Sequence, residues 1–283
     1  MKKRILLPTD FSKNAWNAIK YASELYATEN VDFFILNAFK LESYDIESIL
    51  VAKPGDIEYD RALEKSEKYL RKVLNMIEIK KAYPNHTYFS MSIFDTPLNA
   101  IKTAVELKDI DLVVMGTKGS TDAKSVIFGS NTIDVMEEVR NCPVLAIPNI
   151  AKYTEPKEIV FPTSFKTHFK RRELKYLYEI AKITNSAVRI LHINTEKHLT
   201  DLQKQNKDML EEFLNGIEYS FQWLDNVSVN DGLDEFVRRR GSDLIVFINK
   251  KHAFLDSIFS RPLVKDLGTS SKIPVLVLHD LRN

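Results

Sequence analysis

The chain repeats itself, and this repeat constrains its fold more than any other feature of the sequence. Three segments of the first half recur in the same order in the second half: residues 3–12 (KRILLPTDFS) as 157–166 (KEIVFPTSFK), 111–114 (DLVV) as 243–246 (DLIV), and 143–147 (PVLAI) as 274–278 (PVLVL). A chain of 283 residues is also long for a single core. We therefore expect two copies of one domain, residues 1–150 and 151–283, joined near residues 151–156.

Within each copy, short apolar runs alternate with amphipathic stretches, which is the pattern of βαβ units. The predicted strands are 4–8, 32–37, 86–92, 111–116 and 144–148, then 158–162, 188–193, 219–224, 243–248 and 274–278. The predicted helices of the first copy are 13–28, 60–81, 97–108 and 131–140. This order predicts two Rossmann-like, doubly wound α/β domains, each an open five-stranded parallel sheet with helices on both faces. Because both closing strands are strongly apolar, we expect the domains to pack through them as an intramolecular pseudo-dimer.

Charge and cysteine content argue against several classes of protein. The net charge is only +1, and the basic stretches 166–172 and 238–240 lack an aromatic platform, so no nucleic-acid partner is expected. The single cysteine, Cys142, excludes an intramolecular disulfide and is interpreted as a packed structural thiol. No apolar run approaches the ~20 residues that cross a bilayer, and the histidines lack metal-ligand spacing. These features predict a soluble cytoplasmic protein with no membrane partner and no metal site.

Glycines cluster where the fourth predicted strand ends. Gly116 closes the strand, Gly119 follows after two intervening residues, and Gly129 and Ser130 come after nine more. Glycines let the backbone turn tightly and approach a ligand, and a helix start offers N–H groups to an anion. The pattern therefore favours phosphate binding, although it is not a P-loop, since Gly-Lys-Ser/Thr is absent. The alternative is that these residues only make turns and a helix cap.

The spacing Gly-x2-Gly-x9-Gly-Ser resembles the nucleotide-binding motif of the universal stress protein family. Residues 5–12 (ILLPTDFS) resemble that family's first strand and adenosine-contacting loop, and residues 141–148 (NCPVLAIP) resemble its last strand. The matches are spread over residues 2–148 in the right order. The resemblance implies an adenine nucleotide alpha hydrolase-like fold with a nucleotide in the first domain.

By this resemblance, Thr9 and Asp10 face the adenine and ribose, and Ala38 contacts adenine through backbone groups. Asp10 as the N-cap of the first helix is the alternative interpretation. Lys118 either reaches the phosphates or is a solvated surface lysine. The nucleotide-binding residues that we predict are Pro8, Thr9, Asp10, Ala38, Met115, Gly116, Lys118, Gly119, Gly129, Ser130, Asn131 and Thr132. Ser130 and Thr132 would add hydroxyl or backbone donors, and Asn131 its backbone N–H.

The second copy has lost these signature residues. The counterparts of Asp10, Gly116, Gly119 and Gly129 are Ser164, Ile248, Lys251 and either Ser260 or Arg261. We therefore expect no nucleotide in the second domain. The alternative is that Lys250, Lys251 and Arg261 hold some other anion there.

The sequence thus predicts a protein that binds ATP or another adenine nucleotide, with or without Mg²⁺, in a regulatory or protective stress role. Two other hypotheses stay open: slow ATP hydrolysis, and a nucleotide-free structural or interaction module. The absence of a clear general base beside the glycine loop argues against an enzyme, and no catalytic residue is predicted. An insertion near residues 44–61 either covers the nucleotide, contacts another chain as in a homodimer, or is an inert loop.

Overall fold

The computed structural model describes residues 2–41, 53–80, 83–117, 128–194, 198–225, 227–249 and 272–279. These residues form ten strands and seven helices. The strands are β1 (Lys3–Pro8), β2 (Val31–Phe39), β3 (His86–Phe94), β4 (Leu112–Gly116), β5 (Val144–Ile147), β6 (Glu158–Pro162), β7 (Ala187–Asn194), β8 (Tyr219–Asp225), β9 (Leu244–Asn249) and β10 (Val275–His279). The helices are α1 (Lys13–Leu25), α2 (Ile57–Ile79), α3 (Pro97–Lys108), α4 (Ser130–Glu138), α5 (Arg171–Thr184), α6 (Asp201–Phe213) and α7 (Val229–Arg240).

All ten strands join one sheet in the order β3-β2-β1-β4-β5-β10-β9-β6-β7-β8. Neighbouring strands run parallel within each half. The exception is β5 with β10, which run antiparallel with Leu145 opposite Leu276. Each half is therefore a doubly wound five-stranded parallel sheet, and the predicted fold class is confirmed.

Helices cover both faces of the sheet and bury one apolar cluster on each. The first cluster lies under α1, α2, α5 and α6, and the second lies under α3, α4 and α7. Both clusters run through the two halves, because β5 and β10 contribute residues to each face. Burial on both faces explains why these strands read as continuous apolar runs.

Polar contacts also join the two halves near the centre of the sheet. Lys3 Nζ forms an ion pair with Glu179 (2.5 Å), and the Asn17 side-chain amide donates to the Ala151 carbonyl (2.8 Å). The His279 ring lies between two backbone carbonyls of the first half, those of Cys142 (3.1 Å) and Met136 (2.9 Å). Because β5 and β10 pair with each other in the middle of the sheet, neither strand is an exposed sheet edge.

Several predicted boundaries shift in the structure. The second helix begins at Ile57 rather than residue 60, so the end of the predicted insertion 44–61 is its first turn. Helix α1 ends at Leu25 rather than residue 28. Residues 42–52, the main part of the insertion, lie outside the described residues. The three hypotheses for the insertion therefore stay predictions.

Candidate functional site

A cavity opens where the carboxyl ends of β1, β2 and β4 meet the starts of α1, α3 and α4. Strand β1 pairs with β2 on one side and β4 on the other, so the chain order reverses here. Ligands of open parallel sheets bind at such a switch point. The cavity has a volume of about 120 Å³. Its lining residues are Pro8, Thr9, Asp10, Ala15, Leu36, Asn37, Ala38, Pro97, Ile101, Met115, Gly116, Asn131 and Thr132.

Most of the predicted nucleotide-binding residues come together around this cavity. Those that line it are Pro8, Thr9, Asp10, Ala38, Met115, Gly116, Asn131 and Thr132. Gly129 is the N-cap of α4 and Ser130 its first residue, directly before the lining residue Asn131. Lys118 and Gly119 lie outside the described residues. Residues from four distant parts of the sequence therefore meet at one place.

Hydrogen bonds within the loop after β1 hold it in one conformation. The backbone N–H of Phe11 donates to Thr9 Oγ1 (3.0 Å), and that of Ser12 donates to Asp10 Oδ1 (3.0 Å). Phe11 adopts a left-handed backbone conformation with φ 64°, which is uncommon for a bulky residue. Ser12 caps α1, since its Oγ accepts from the Ala15 N–H (3.2 Å). The alternative interpretation of Asp10 as the helix N-cap is therefore wrong, and its exposed carboxylate lines the cavity.

Gly116 lacks a side chain for a packing reason. A Cβ at this position would lie 3.1 Å from the backbone carbonyl carbon and oxygen of Asn14 and 3.4 Å from the Ala15 nitrogen. A side chain here would therefore require the first turn of α1 to shift away from the end of β4 by a few tenths of an ångström. The sequence predicts that Gly116 lets a ligand approach the backbone. The structure adds a packing reason for the glycine, and Gly116 also lines the cavity.

The start of α4 is fixed against the end of β4. The Gly129 N–H donates to the Thr117 carbonyl (2.7 Å), and Thr132 Oγ1 donates to the Gly116 carbonyl (3.0 Å). The hydroxyl of Thr132 and its backbone N–H, which donates to the Gly129 carbonyl (3.1 Å), are thus both used within the protein, whereas the prediction gave a hydroxyl or backbone donor of this residue to a ligand. Because Gly129 is the N-cap, no side chain caps the first turn of α4. A helix start without a side-chain cap suits an anion.

Asn37, which was not among the predicted residues, is the buried polar wall of the cavity. Asn37 is 7% exposed, and its side-chain Nδ2 donates to the Thr9 carbonyl (2.8 Å). Its Oδ1 accepts from Ser66 Oγ (2.7 Å). The amide therefore ties the loop after β1 to β2 and α2. The available signal was a lone asparagine inside the apolar run 33–39 (FFILNAF).

The second half repeats the loop conformation. Thr163 Oγ1 accepts from the Phe165 N–H (3.1 Å), and Phe165 has φ 57°. The Lys166 N–H donates to Ser164 Oγ (3.4 Å), as the Ser12 N–H does to Asp10. The loop geometry therefore survives the loss of the carboxylate.

The small residues of the cavity do not recur in the second half. The strand registers make Ile193 the counterpart of Ala38 and Ile248 the counterpart of Gly116. Both isoleucines are buried. Helix α5 begins at the ninth residue after Pro162, whereas α1 begins at the fifth after Pro8. Residues 250–271, with Lys250, Lys251, Ser260 and Arg261, lie outside the described part of the chain.

Cys142 lies apart from the cavity and packs in the core. The residue is fully buried, and its Sγ donates to the Ile110 carbonyl (3.4 Å). Burial raises the pKa of the Cys142 thiol far above its ordinary value. Such a thiol is unreactive, in agreement with the interpretation of a structural residue.

In the part of the chain that the structure describes, no three His, Cys, Asp or Glu side chains are grouped so that they could hold a metal ion. Across those same ranges, no helix combines the length and apolar character needed to cross a membrane.

The fold and the cavity define a doubly wound α/β protein with a candidate ligand site at its switch point. A model of the universal stress protein family matches residues 1–148, just over half of the chain. The chain therefore belongs to the universal stress protein family. Two curated universal stress proteins of Methanocaldococcus jannaschii are similar to it. One is 29% identical over 158 residues, covering 52% of this chain and 95% of the relative. The other is 30% identical over 154 residues, covering 51% and 81%.

A solved structure extends the likeness to the whole chain. The crystal structure of a universal stress protein from Archaeoglobus fulgidus covers 97% of both chains with a TM-score of 0.69 and 19% sequence identity. At this identity the likeness concerns the fold. The arrangement of two consecutive α/β halves is therefore shared with another member of the family.

Proposed function

We propose that this protein binds ATP or another adenine nucleotide in its first half and acts in the stress response by regulatory or protective binding. The observation that carries the proposal is the cavity at the switch point, lined by small and apolar residues beside the start of α4. Membership of the universal stress protein family supports the same function. The nucleotide-binding unit in this proposal is the domain of residues 1–150.

The size of the cavity suggests which part of the nucleotide would lie inside it and which part outside. Its volume of about 120 Å³ is below the roughly 300–1,000 Å³ of typical small-molecule sites. We therefore assign only the base and ribose to it, against Asp10, Ala38 and Met115. The phosphates would lie outside, at the start of α4, where Gly129 leaves the helix without a side-chain cap. Lys118 and Gly119 complete the phosphate contacts in this proposal.

The lining favours binding over catalysis. Among the described residues that line the cavity, Asp10 is the only titratable one, and the proposal places it on the adenosine side. Phosphoryl transfer needs an oriented water and concentrated positive charge or metal at the leaving group. We therefore expect any hydrolysis to be slower than about 1 s⁻¹, the low end of ordinary enzymatic turnover.

The test is a calorimetric titration of the full chain with ATP, with and without Mg²⁺. We expect one nucleotide per chain, and Ala38→Leu should weaken its binding at least about tenfold, or roughly 1.4 kcal/mol, by filling the base position. Ile193→Leu changes the matched position of the second half and should leave the affinity unchanged. No heat at millimolar ATP would overturn the proposal, and two sites per chain would contradict the assignment to the first half alone.

A further inference from the structure

A second and larger cavity lies beside the first, on the face of the sheet that α1 and α2 cover. Its volume is about 590 Å³, inside the roughly 300–1,000 Å³ range of small-molecule sites. The end of β2 and the first turns of α2 form its sides. The predicted nucleotide-binding residues do not include any residue of this lining.

One side of this second cavity is aromatic. Phe11, Phe39 and Tyr69 line it, with the Phe11 and Tyr69 ring centroids 5.2 Å apart. The Phe39 ring packs against the rings of Tyr59 and Phe94, with centroid distances of 5.7 and 5.4 Å. Packed rings of this kind offer a stable surface for a flat apolar group.

The lining of the second cavity also carries basic side chains. Lys40 follows the end of β2, and Arg61 and Lys65 stand four residues apart on α2, hence on one face of the helix. Glu58 is the one carboxylate in the described lining. In the part of the lining that the structure describes, three cations stand against one anion, and such an excess of positive charge favours a negatively charged ligand.

A buried polar group joins the second cavity to the first. Asn37 lines both cavities. Ser66, which is 3% exposed, donates to Asn37 Oδ1 (2.7 Å) and lies 2.9 Å from Ser92 Oγ. Because Asn37 also holds the Thr9 carbonyl, a ligand in the second cavity would contact the residue that fixes the first.

The second half of the chain fills the corresponding space with its own side chains. Gln203 and Asn206 on α6 donate to the backbone carbonyls of Ser164 (2.9 Å) and Phe165 (2.7 Å). Phe165 is 1% exposed and stacks on His192, with ring centroids 5.0 Å apart. Its counterpart Phe11 is only partly buried. Among the residues that the structure describes, the second half therefore has a buried, stacked ring where the first half has the partly exposed Phe11.

We propose that the second cavity binds a small organic anion with an aromatic body. The rings of Phe11, Phe39 and Tyr69 hold the flat group, and Arg61 and Lys65 hold the acidic group. The site is separate from the nucleotide cavity, and Asn37 is the residue common to the described linings of the two. The proposal does not depend on the binding of a nucleotide.

The test uses two fluorescent probes on the full chain under native conditions. One is the anion 1-anilinonaphthalene-8-sulfonate, and the other is its uncharged analogue N-phenyl-1-naphthylamine. Replacing both cations, with Arg61→Gln and Lys65→Gln, should weaken the sulfonate at least about tenfold and leave the uncharged probe unchanged. Ala62→Phe, which fills the cavity from α2, should weaken both probes. Arg71→Gln on the same helix, where Arg71 faces Glu67 in an exposed pair, is the matched control.

Two outcomes would overturn the proposal. If sulfonate binding survives both the paired Gln substitutions and Ala62→Phe, the probe does not occupy this cavity. If Ala38→Leu removes the sulfonate while the α2 variants keep it, the probe occupies the nucleotide cavity instead. Circular dichroism and thermal unfolding of each variant ensure that only folded proteins are compared. The cations are exposed, so their replacement is compatible with the fold.

Discussion

Gly116 and Gly129 stand at the two ends of the segment that joins β4 to α4. The structure gives a different reason for a glycine at each of these positions. At Gly116 a side chain would meet the backbone of Asn14 at 3.1 Å. We therefore expect Gly116→Ala to lower the free energy of unfolding by about 1–3 kcal/mol, the usual cost of overpacking, as measured by urea denaturation. Met115→Leu, a volume-conserving change at the neighbouring position, should cost less than about 1.5 kcal/mol. Equal stability of Gly116→Ala and the unaltered chain would show that α1 does not need this approach.

Gly129 has φ −68° and ψ 160°, which any residue can adopt, and serine is a favoured N-cap. As a cap, Gly129→Ser should therefore change the free energy of unfolding by only a few tenths of a kcal/mol. Its hydroxyl would, however, accept a first-turn N–H of α4 that the proposal gives to phosphate. We expect ATP to bind at least about tenfold more weakly, as measured by calorimetry. Unchanged affinity would mean that the start of α4 does not hold the phosphates.

At the scale of elements, Glu158 on β6 ties together β7 and the end of α7. Its carboxylate accepts from Arg240 (2.8 and 2.6 Å), Arg189 (2.9 Å) and Ser242 (2.9 Å). Burial by itself would raise the pKa of Glu158, but these hydrogen bonds outweigh it and lower the pKa from 4.5 to about 2. The ionised carboxylate thus stabilises the fold above about pH 4.5. That stabilisation is lost as the pH falls from 4.5 to 2.

Glu158→Gln should therefore lower the free energy of unfolding at pH 7 by roughly 1.5–3 kcal/mol, as for hydrogen bonds to a charged group. It should also make stability less dependent on pH between about 4.5 and 2, which urea denaturation at several pH values measures. Glu218→Gln is the control, because Glu218 pairs with the same Arg189 from a side chain that is 72% exposed. A pH dependence identical to that of the unaltered chain would contradict this account.

At the scale of the molecule, the pairing of β5 with β10 decides how the two halves associate. Leu145 and Leu276 face each other as equivalent residues of the two repeats. A fragment of residues 1–150 would expose the apolar edge of β5, and we expect it to self-associate through that edge as a homodimer. Sedimentation analysis of the folded fragment would give its mass. A stable monomer of the unaltered fragment would contradict the expectation.

Sequence patterns predicted the strands and the residues around the first cavity because these depend on local signals. Apolar runs give buried strands, and residues such as Pro8 and Gly116 stand at strand ends, which parallel pairing brings to one edge. The predicted ends of helices and strands are less accurate than their positions. For example, α2 starts at Ile57, with Asp56 as its N-cap, inside the predicted insertion. Asn37 was missed because its role depends on Thr9 and Ser66, which are distant in sequence.

The sequence by itself determined that this chain is a repeated, doubly wound α/β protein of the universal stress protein family with a degenerate second copy. These conclusions follow from periodicity, motif order and the replacement of Gly116 by Ile248, all of which are local. Only the tertiary structure decided that α1 packs closely over Gly116, that Ser12 rather than Asp10 caps α1, and that a second cavity opens beneath α2. Those properties depend on distances between segments far apart in the chain, and local patterns carry no information about such distances.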